Sequence, residues 1–276
     1  MYSNTAQQRY HLLIVVCIPL WYTSLISFAF PRISRVGGFA CAKRTAEANG
    51  GSVLRTEGGE PVSGKISASI MCSDALNLEA DVRAFEKLGV EYLHVDIMDG
   101  CFVPNYAFGT DLVKRLKGAT AIPLDIHLLI DRPERKLDWF AFGENDIVSF
   151  HCESTQCPGR IIRMIKDRGA QAMVALNPET PPRALEEVEY TLDAILIMTV
   201  NPGFAGQMLV ESTIGKIALL RKMYPGVVIE ADGNVSFENA VRMRAAGADI
   251  FVAGSSSIFS PGGLEANMQK LRECIV

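Results

Sequence analysis

From residue 66 onward, short apolar runs alternate with stretches whose apolar residues recur every three or four positions. The runs predict strands at 66–71, 91–97, 122–128, 146–151, 170–175, 193–198, 227–231 and 249–253. The longer period predicts helices at 76–88, 108–117, 132–142, 158–168, 182–188, 211–223, 236–246 and 264–273. Eight strands and eight helices therefore alternate, with strand starts about 26 residues apart, room for one βα unit each. Strict alternation implies parallel strands joined by right-handed crossovers. Eight such units in about 210 residues favour an α/β fold closed into a (β/α)8, or TIM, barrel. An open doubly wound sheet is the alternative, but the GxGxxG turn expected after its first strand is missing.

The chain ahead of this pattern is different in kind. His11 to Phe30 is a mostly apolar run behind Arg9, interrupted by Pro19, Thr23, Ser24 and Ser27. That run weakens as a permanent membrane span and resembles a secretory signal. Residues 31–56 follow with Arg, Lys, Ser, Gly and Ala, and the first acid of the chain is Glu47, which is the composition of a transit peptide. Together they resemble the two-part presequence of secondary plastids, and Ser27-Phe28-Ala29-Phe30-Pro31 resembles its Phe-containing cleavage motif. The expected organisation is a leader over residues 1–64, outside the fold and directing plastid import, and a barrel over 65–276. A retained anchor, a secretory route, or a mis-set start ahead of a cytoplasmic protein are the alternatives.

Composition and charge sharpen this division. At 49% hydrophobic and 21% charged, the chain is globular in type. Residues 1–65 carry seven basic and three acidic residues, a net +4; the rest carries 20 basic and 28 acidic, a net −8. An acidic barrel offers no basic surface to nucleic acid. Seven scattered Cys without a CxxC pair read as reduced thiols rather than a disulfide framework or a four-cysteine zinc site.

In a barrel of this kind, chemistry sits at the C-terminal ends of the strands. Three of the four His lie there: His94, His127 and His151. Strand alternation places His94, Asp96 and Met98 on one face, and Asp125, His127 and Leu129 on another strand's equivalent face. Glu230 and Asp232 pair off in the same way, as do Ser67, Ser69 and Met71. The inward set is thus two His, several carboxylates and two Ser, with apolar Met71, Met98 and Leu129 at the upper rim. Buried unpaired carboxylates are costly. A divalent cation would compensate them, and two His with two Asp suit Zn2+, Fe2+ or Mn2+. His151 reads as a hydrogen-bonded core residue, since nothing in the sequence ties it to the others. Asp125 reads equally well as the partner of a ligand or as a capped core acid.

Glycine-rich loops follow the last three strands: Asn201-Pro202-Gly203-Phe204-Ala205-Gly206-Gln207, Asp232-Gly233-Asn234 and Gly254-Ser255-Ser256-Ser257. Such loops let backbone N–H groups approach an anion, and the loops after strands seven and eight are the usual phosphate site of this barrel class. No barrel Lys falls in a predicted strand, which argues against a Schiff-base aldolase. A cation site beside a phosphate site, with two carboxylates, suggests proton transfer next to a sugar-phosphate carbonyl through an enediolate that the metal stabilises.

Several stretches then carry a resemblance. They are Ile66-Ser67-Ala68-Ser69-Ile70, His94-Val95-Asp96-Ile97-Met98-Asp99-Gly100, Phe102-Val103-Pro104-Asn105, Pro123-Leu124-Asp125-Ile126-His127-Leu128, Leu176-Asn177-Pro178-Glu179-Thr180-Pro181, the 201–207 loop, Glu230-Ala231-Asp232-Gly233 and Ala253-Gly254-Ser255. Through them, residues 65–276 resemble the ribulose-phosphate 3-epimerase family, with a barrel of the ribulose-phosphate-binding type. The resemblance implies one divalent metal held by His94, Asp96, His127 and Asp232, with Asp96 and Asp232 as the acid/base pair. It implies substrate contacts at Ser69 and His127, and phosphate contacts at Ala205, Gly206, Gln207, Gly233, Asn234, Gly254 and Ser255. Met71, Met98 and Leu129 would form an apolar cap. It implies a homo-oligomer acting on a small sugar phosphate, with no nucleic-acid partner and no permanent membrane span.

Cys101, Ala205, Ala231, Asn234 and the Met71-Cys72 pair depart from the usual family pattern. The Met-Cys pair and the PGFAGQ loop also resemble the relative that epimerises allulose 6-phosphate, so that substrate is an alternative. A barrel that binds a phosphate ligand without catalysis is a third.

Overall fold

The structure is a computed structural model that describes residues 63–188 and 192–276. The leader expected over 1–64 lies outside the described residues, except for Ser63 and Gly64. Gly64 is buried beneath the barrel: its N–H donates to the Ile275 carbonyl at 2.8 Å, and a Cβ there would stand 2.6 Å from the Phe251 ring.

Eight strands form the core: β1 (Lys65–Ser69), β2 (Tyr92–Met98), β3 (Leu124–Leu129), β4 (Ile147–His151), β5 (Gln171–Leu176), β6 (Ala194–Met198), β7 (Val228–Asp232) and β8 (Ile250–Ala253). Every neighbouring pair is parallel, and β8 returns to β1, so the barrel closes in sequence order. The described α-helices are α1 (Leu78–Lys87), α2 (Thr110–Ala119), α3 (Pro158–Lys166), α4 (Ser212–Met223), α5 (Phe237–Ala246) and α6 (Leu264–Cys274). The expected barrel is therefore present, with strand limits within two residues of those predicted.

Three expectations are corrected. Residues 132–142 form two short 3-10 turns, Pro133–Arg135 and Leu137–Trp139, instead of a helix. Arg132 takes a left-handed conformation (φ 50°) before Pro133, and Pro133, Leu137 and Phe140 anchor the segment inward while Trp139 is exposed. Residues 182–188 hold a single 3-10 helix, Pro182–Leu185, behind consecutive prolines that lack N–H donors. The first strand ends at Ser69, so Met71 sits in a 3-10 turn (Ile70–Cys72) rather than in the strand. Lys65 opens β1, at the N-terminal end of the strand, and donates to the Tyr92 hydroxyl at 3.3 Å.

Strands buried on both faces give the near-continuous apolar runs of the sequence. Outward residues such as Leu93, Val95 and Ile97 join the main core under the helices. Inward Tyr92, Ile147, Met173, Leu196 and Ile250 fill the barrel floor. The polar inward residues Ser67, Ser69, His94, Asp96, Asp125, His127 and Glu230 are all buried, and they stand on that apolar plug. Each of them needs a partner there, from the protein or from an ordered water.

Candidate active site

His94 and Asp96 leave the inner face of β2, His127 that of β3, and Asp232 closes β7. The β2–β3 register sets Asp96 directly beside His127. One ligand atom from each of His94, Asp96, His127 and Asp232 lies within 4.8 Å of every other. His94 Nε2 and His127 Nδ1 each stand 3.3 Å from Asp96 Oδ1, and 3.8 and 3.6 Å from Asp232 Oδ2. Both nitrogens are buried and make no hydrogen bond. An orphaned buried polar atom costs about 1–3 kcal/mol. Two such atoms aimed at one point, with two carboxylate oxygens beside them, fit a divalent cation.

The carboxylates are pushed apart electrostatically. Burial would raise the Asp96 pKa, but the His94 and His127 imidazoles outweigh it and hold Asp96 well below the ordinary range. Burial lifts Asp232 to about 7, helped by Asp96 and Asp125 against the pull of His94. Burial also lowers His127 to about 4. Burial would lower His94 likewise, but Asp125 and Asp96 bring it well above its usual value. Without a cation, one carboxyl is thus ionised while the other holds a proton near neutrality, the split expected of an acid/base pair. A bound cation would draw Asp232 down.

A second layer of contacts orients the histidines. Asp125 Oδ2 lies 2.6 Å from His94 Nδ1 and accepts from Ser67 Oγ at 2.7 Å. Of the two roles the sequence left open, the geometry selects the partner of His94. Glu230 is fully buried beside this pair, its oxygens making no hydrogen bond and Oε1 lying 3.7 Å from His94 Nδ1. Burial and the neighbouring Asp125 carboxylate raise its pKa well above the ordinary value, against the pull of His94. His151 is a hydrogen-bonded core residue as expected, but its partner is the site itself: its Nε2 is 2.9 Å from His127 Nε2. Strand parity could have pointed to this, since His151 shares the inward face of Ile147 and Ser149. Burial would raise Glu153, yet contacts with His151 and Thr180 hold it at about 2.

Above these groups opens a cleft. Ser69, Asp96 and Asp232 lie at its base, and Met71, Met98 and Leu129 along its wall. The three apolar residues also pack as one cluster with Val103. Ala205, Gly206, Gln207, Gly233, Asn234, Gly254 and Ser255 line the other side. His94 and His127 lie beneath the lining. Ser256 of the loop after β8 lines it as well, and so do Cys72 and Met198, which sequence reasoning did not place there.

The glycine loops are braced to each other. Gln207 Nε2 donates to the Asn201 and Phe204 carbonyls, closing its own loop, so what it offers an anion is backbone. Asn234 Nδ2 donates to the Gln207 carbonyl at 2.6 Å, tying the loop after β7 to that after β6. Asn234 adopts φ 46°, which explains how Asn replaces a common glycine: Asn tolerates the left-handed region better than other L residues. Gly233 has no such latitude, since a Cβ would meet Val200 Cγ2 at 2.5 Å.

Comparison with known proteins agrees with this geometry. The sequence model described as "Ribulose-phosphate 3 epimerase family" matches residues 65–259. The chain is 46% identical over 197 residues to the chloroplastic ribulose-5-phosphate-3-epimerase of Arabidopsis thaliana, covering 69% of this chain and 70% of that one. It is 40% identical over 197 residues to ribulose-phosphate 3-epimerase of Bacillus subtilis, covering 70% and 91%. Among solved structures, 3-hexulose-6-phosphate synthase from Salmonella typhimurium superposes with a TM-score of 0.53 at 16% identity, covering 76% of this chain and 98% of that one. Phosphoribosyl anthranilate isomerase from Thermococcus kodakaraensis gives 0.54 at 14%, covering 78% and 99%. At such identities these two speak to the fold alone.

Proposed function

The chain belongs to the ribulose-phosphate 3-epimerase family and is an epimerase, and from that premise we propose that it interconverts D-ribulose 5-phosphate and D-xylulose 5-phosphate by inverting C3. The observation that carries this reading is the convergence of Asp96 and Asp232 with two orphaned imidazole nitrogens at the base of a cleft walled by glycine loops.

In this reading His94, Asp96, His127 and Asp232 hold one divalent ion, Zn2+, Fe2+ or Mn2+. That ion would supply positive charge against the negative charge that grows on the substrate oxygens. Asp96 and Asp232 lie on opposite sides of the substrate; one removes the C3 proton and the other returns a proton to the opposite face. Ser69 Oγ lies 3.4 Å from Asp96 Oδ2 and orients that carboxylate while reaching the cleft. The expected substrate contact of His127 would run through the ion it helps to hold, since its ring lies beneath the cleft lining. Backbone N–H groups around Ala205, Gly206, Gln207, Gly233, Asn234, Gly254 and Ser255 take the phosphate, as a barrel of net −8 requires. Met71, Met98 and Leu129 limit water near the enediolate.

A second substrate is favoured by one observation: Met71, Cys72 and Ala205, which depart from the family pattern toward allulose 6-phosphate epimerases, all line the cleft. Measuring kcat/KM for both ketose phosphates on one preparation separates the two readings. Turnover in D2O should place deuterium at C3; unlabelled product would overturn the proton-transfer mechanism.

The leader ahead of Gly64, which itself packs under the barrel, serves plastid import in this proposal, supported by its composition and by the chloroplastic relative. An intact Met1 on the native protein would refute it. Among the described residues no helix is long and apolar enough to cross a membrane. The enzyme is a homo-oligomer in this reading, which sedimentation would test.

A further inference from the structure

The two histidines of the metal site are held from behind in different ways. His94 Nδ1 meets a carboxylate directly, at Asp125. His127 Nε2 meets another imidazole, His151 Nε2, at 2.9 Å, with the two rings stacked at 19° and centroids 5.0 Å apart. Both rings are fully buried, so water cannot rescue a wrongly placed proton. We propose that His151 and Glu153 form a positioning relay that fixes His127 in the tautomer whose Nδ1 lone pair faces the metal site. The inference rests on the metal reading given above.

The proton inventory leads to it. A ligand imidazole must present a lone pair at Nδ1, so His127 carries its hydrogen on Nε2, against the pull of the Asp96 carboxylate 3.3 Å from Nδ1. That hydrogen points at His151 Nε2, which must then be an acceptor. Two N–H groups facing each other at 2.9 Å in a dry interior would repel. His151 therefore carries its own hydrogen on Nδ1, which makes no hydrogen bond and lies 3.5 Å from Glu153 Oε2, within ion-pair reach. The carboxylate favours a proton on that nitrogen.

Glu153 is itself fixed. It stands in the 3-10 turn Cys152–Ser154 after β4. Its Oε1 accepts from the Asn177 N–H at 2.9 Å and from the Thr180 hydroxyl. The Asn177–Thr180 turn is clamped in turn by Lys216, whose ammonium donates to the carbonyls of Asn177, Pro178 and Thr180 at 2.6–2.8 Å. Phe102 packs on the His151 ring, with centroids 4.8 Å apart. Neither His151 nor Glu153 lines the cleft, so both act through His127 and are positioning residues.

The test uses the full metal-free chain and its His151→Phe, His151→Gln and Glu153→Gln variants. Zn2+ affinity is read by competition with a chromogenic chelator, and the His127 tautomer by 15N-resolved NMR of the metal-free protein. His151→Phe removes the acceptor; affinity should fall about 10-fold or more, the usual effect of losing a group behind a ligand. NMR should show the His127 hydrogen on Nε2 in the parent and mixed tautomers in His151→Phe. His151→Gln supplies an amide oxygen and should recover most of the affinity. Glu153→Gln should lower affinity less than His151→Phe does. At saturating Zn2+ the KM for ribulose 5-phosphate should change little. A His151→Phe chain with affinity within twofold of the parent overturns the relay, as does a parent hydrogen on His127 Nδ1. If His151→Phe does not fold, the two Gln variants and the parent tautomer decide. A parent that binds Zn2+ no better than its His94→Ala variant overturns the metal reading itself, an outcome distinct from failure of the relay.

Discussion

Asp125 makes the sharpest case for how the fold tunes the site. Its Oδ2 accepts from His94 Nδ1 at 2.6 Å and from Ser67 Oγ at 2.7 Å, with no exposure to solvent. Asp125→Asn keeps an oxygen for His94 and removes only the charge. A hydrogen bond to an ionised partner contributes about 1.5–3 kcal/mol, and a neutral one about 0.5–1.5. The anchor on His94 should weaken by roughly 1–1.5 kcal/mol, which is about a tenfold loss in metal affinity. Stability should respond differently. Asp125 Oδ1 and both oxygens of neighbouring Glu230 make no hydrogen bond, and Glu230 Oε1 lies 3.7 Å from His94 Nδ1. The new amide NH2 can donate to Glu230, and a buried charge is gone. The metal-free Asp125→Asn chain should therefore melt no lower than the parent while its Zn2+ affinity drops about tenfold. Thermal melting of metal-free protein and a chelator competition read the two quantities separately. Affinity within twofold of the parent would refute the role given to Asp125. A joint fall of stability and affinity would refute the Glu230 argument.

Asp96→Asn and Asp232→Asn should each lower kcat/KM by about 10²–10⁴ while the circular dichroism spectrum persists; near-normal turnover in either variant would sink the two-carboxylate assignment. Asp146, fully buried at the start of β4, accepts from the backbone N–H of Leu124 and of Gly143 and pairs with Lys117 at 2.8 Å. Lys117 is over a third exposed and adds little, so Asp146→Ala should cost about 3 kcal/mol through the two orphaned N–H groups, and lower Tm by about 6–12 °C. A shift under 2 °C, a bound drawn from the same scale, would mean that water reaches these groups. Burial would raise Asp99, but the Lys136 ammonium and the N–H groups of Cys101, Phe102 and Asp131 hold it at about 2. A depressed folded pKa gives stability that is present above the unfolded value near 3.9 and is lost as pH falls toward 2. The urea midpoint should drop over that window, and drop less in Asp99→Asn; parallel profiles would contradict the assignment.

What the sequence could and could not disclose follows from which geometry is local. Side-chain parity along a strand is rigid, so His94, Asp96 and Met98 had to share a face, and the strand ends set their height in the barrel. The glycine loops were legible because close approach and positive φ leave few other residues, as Gly233 against Val200 illustrates. Apolar spacing over fewer than a dozen residues does not separate a helix from one or two 3-10 turns, which is why 132–142 and 182–188 carry a helical spacing yet form 3-10 turns. Pairing between strands is a different matter, since it depends on stagger, which no single strand encodes. The observed register sets His94 beside Asp125 and Asp96 beside His127. A slip of two residues would keep every side chain on the same face and put Asp96 beside Asp125 instead, two carboxylates without an imidazole between them. The hydrophobic pattern alone does not forbid that slip. The polar layer does: in the observed register each carboxylate finds a histidine, whereas the slipped one buries an acid pair at a cost of several kcal/mol. The residues of the site thus help to fix the alignment of the two strands that carry them.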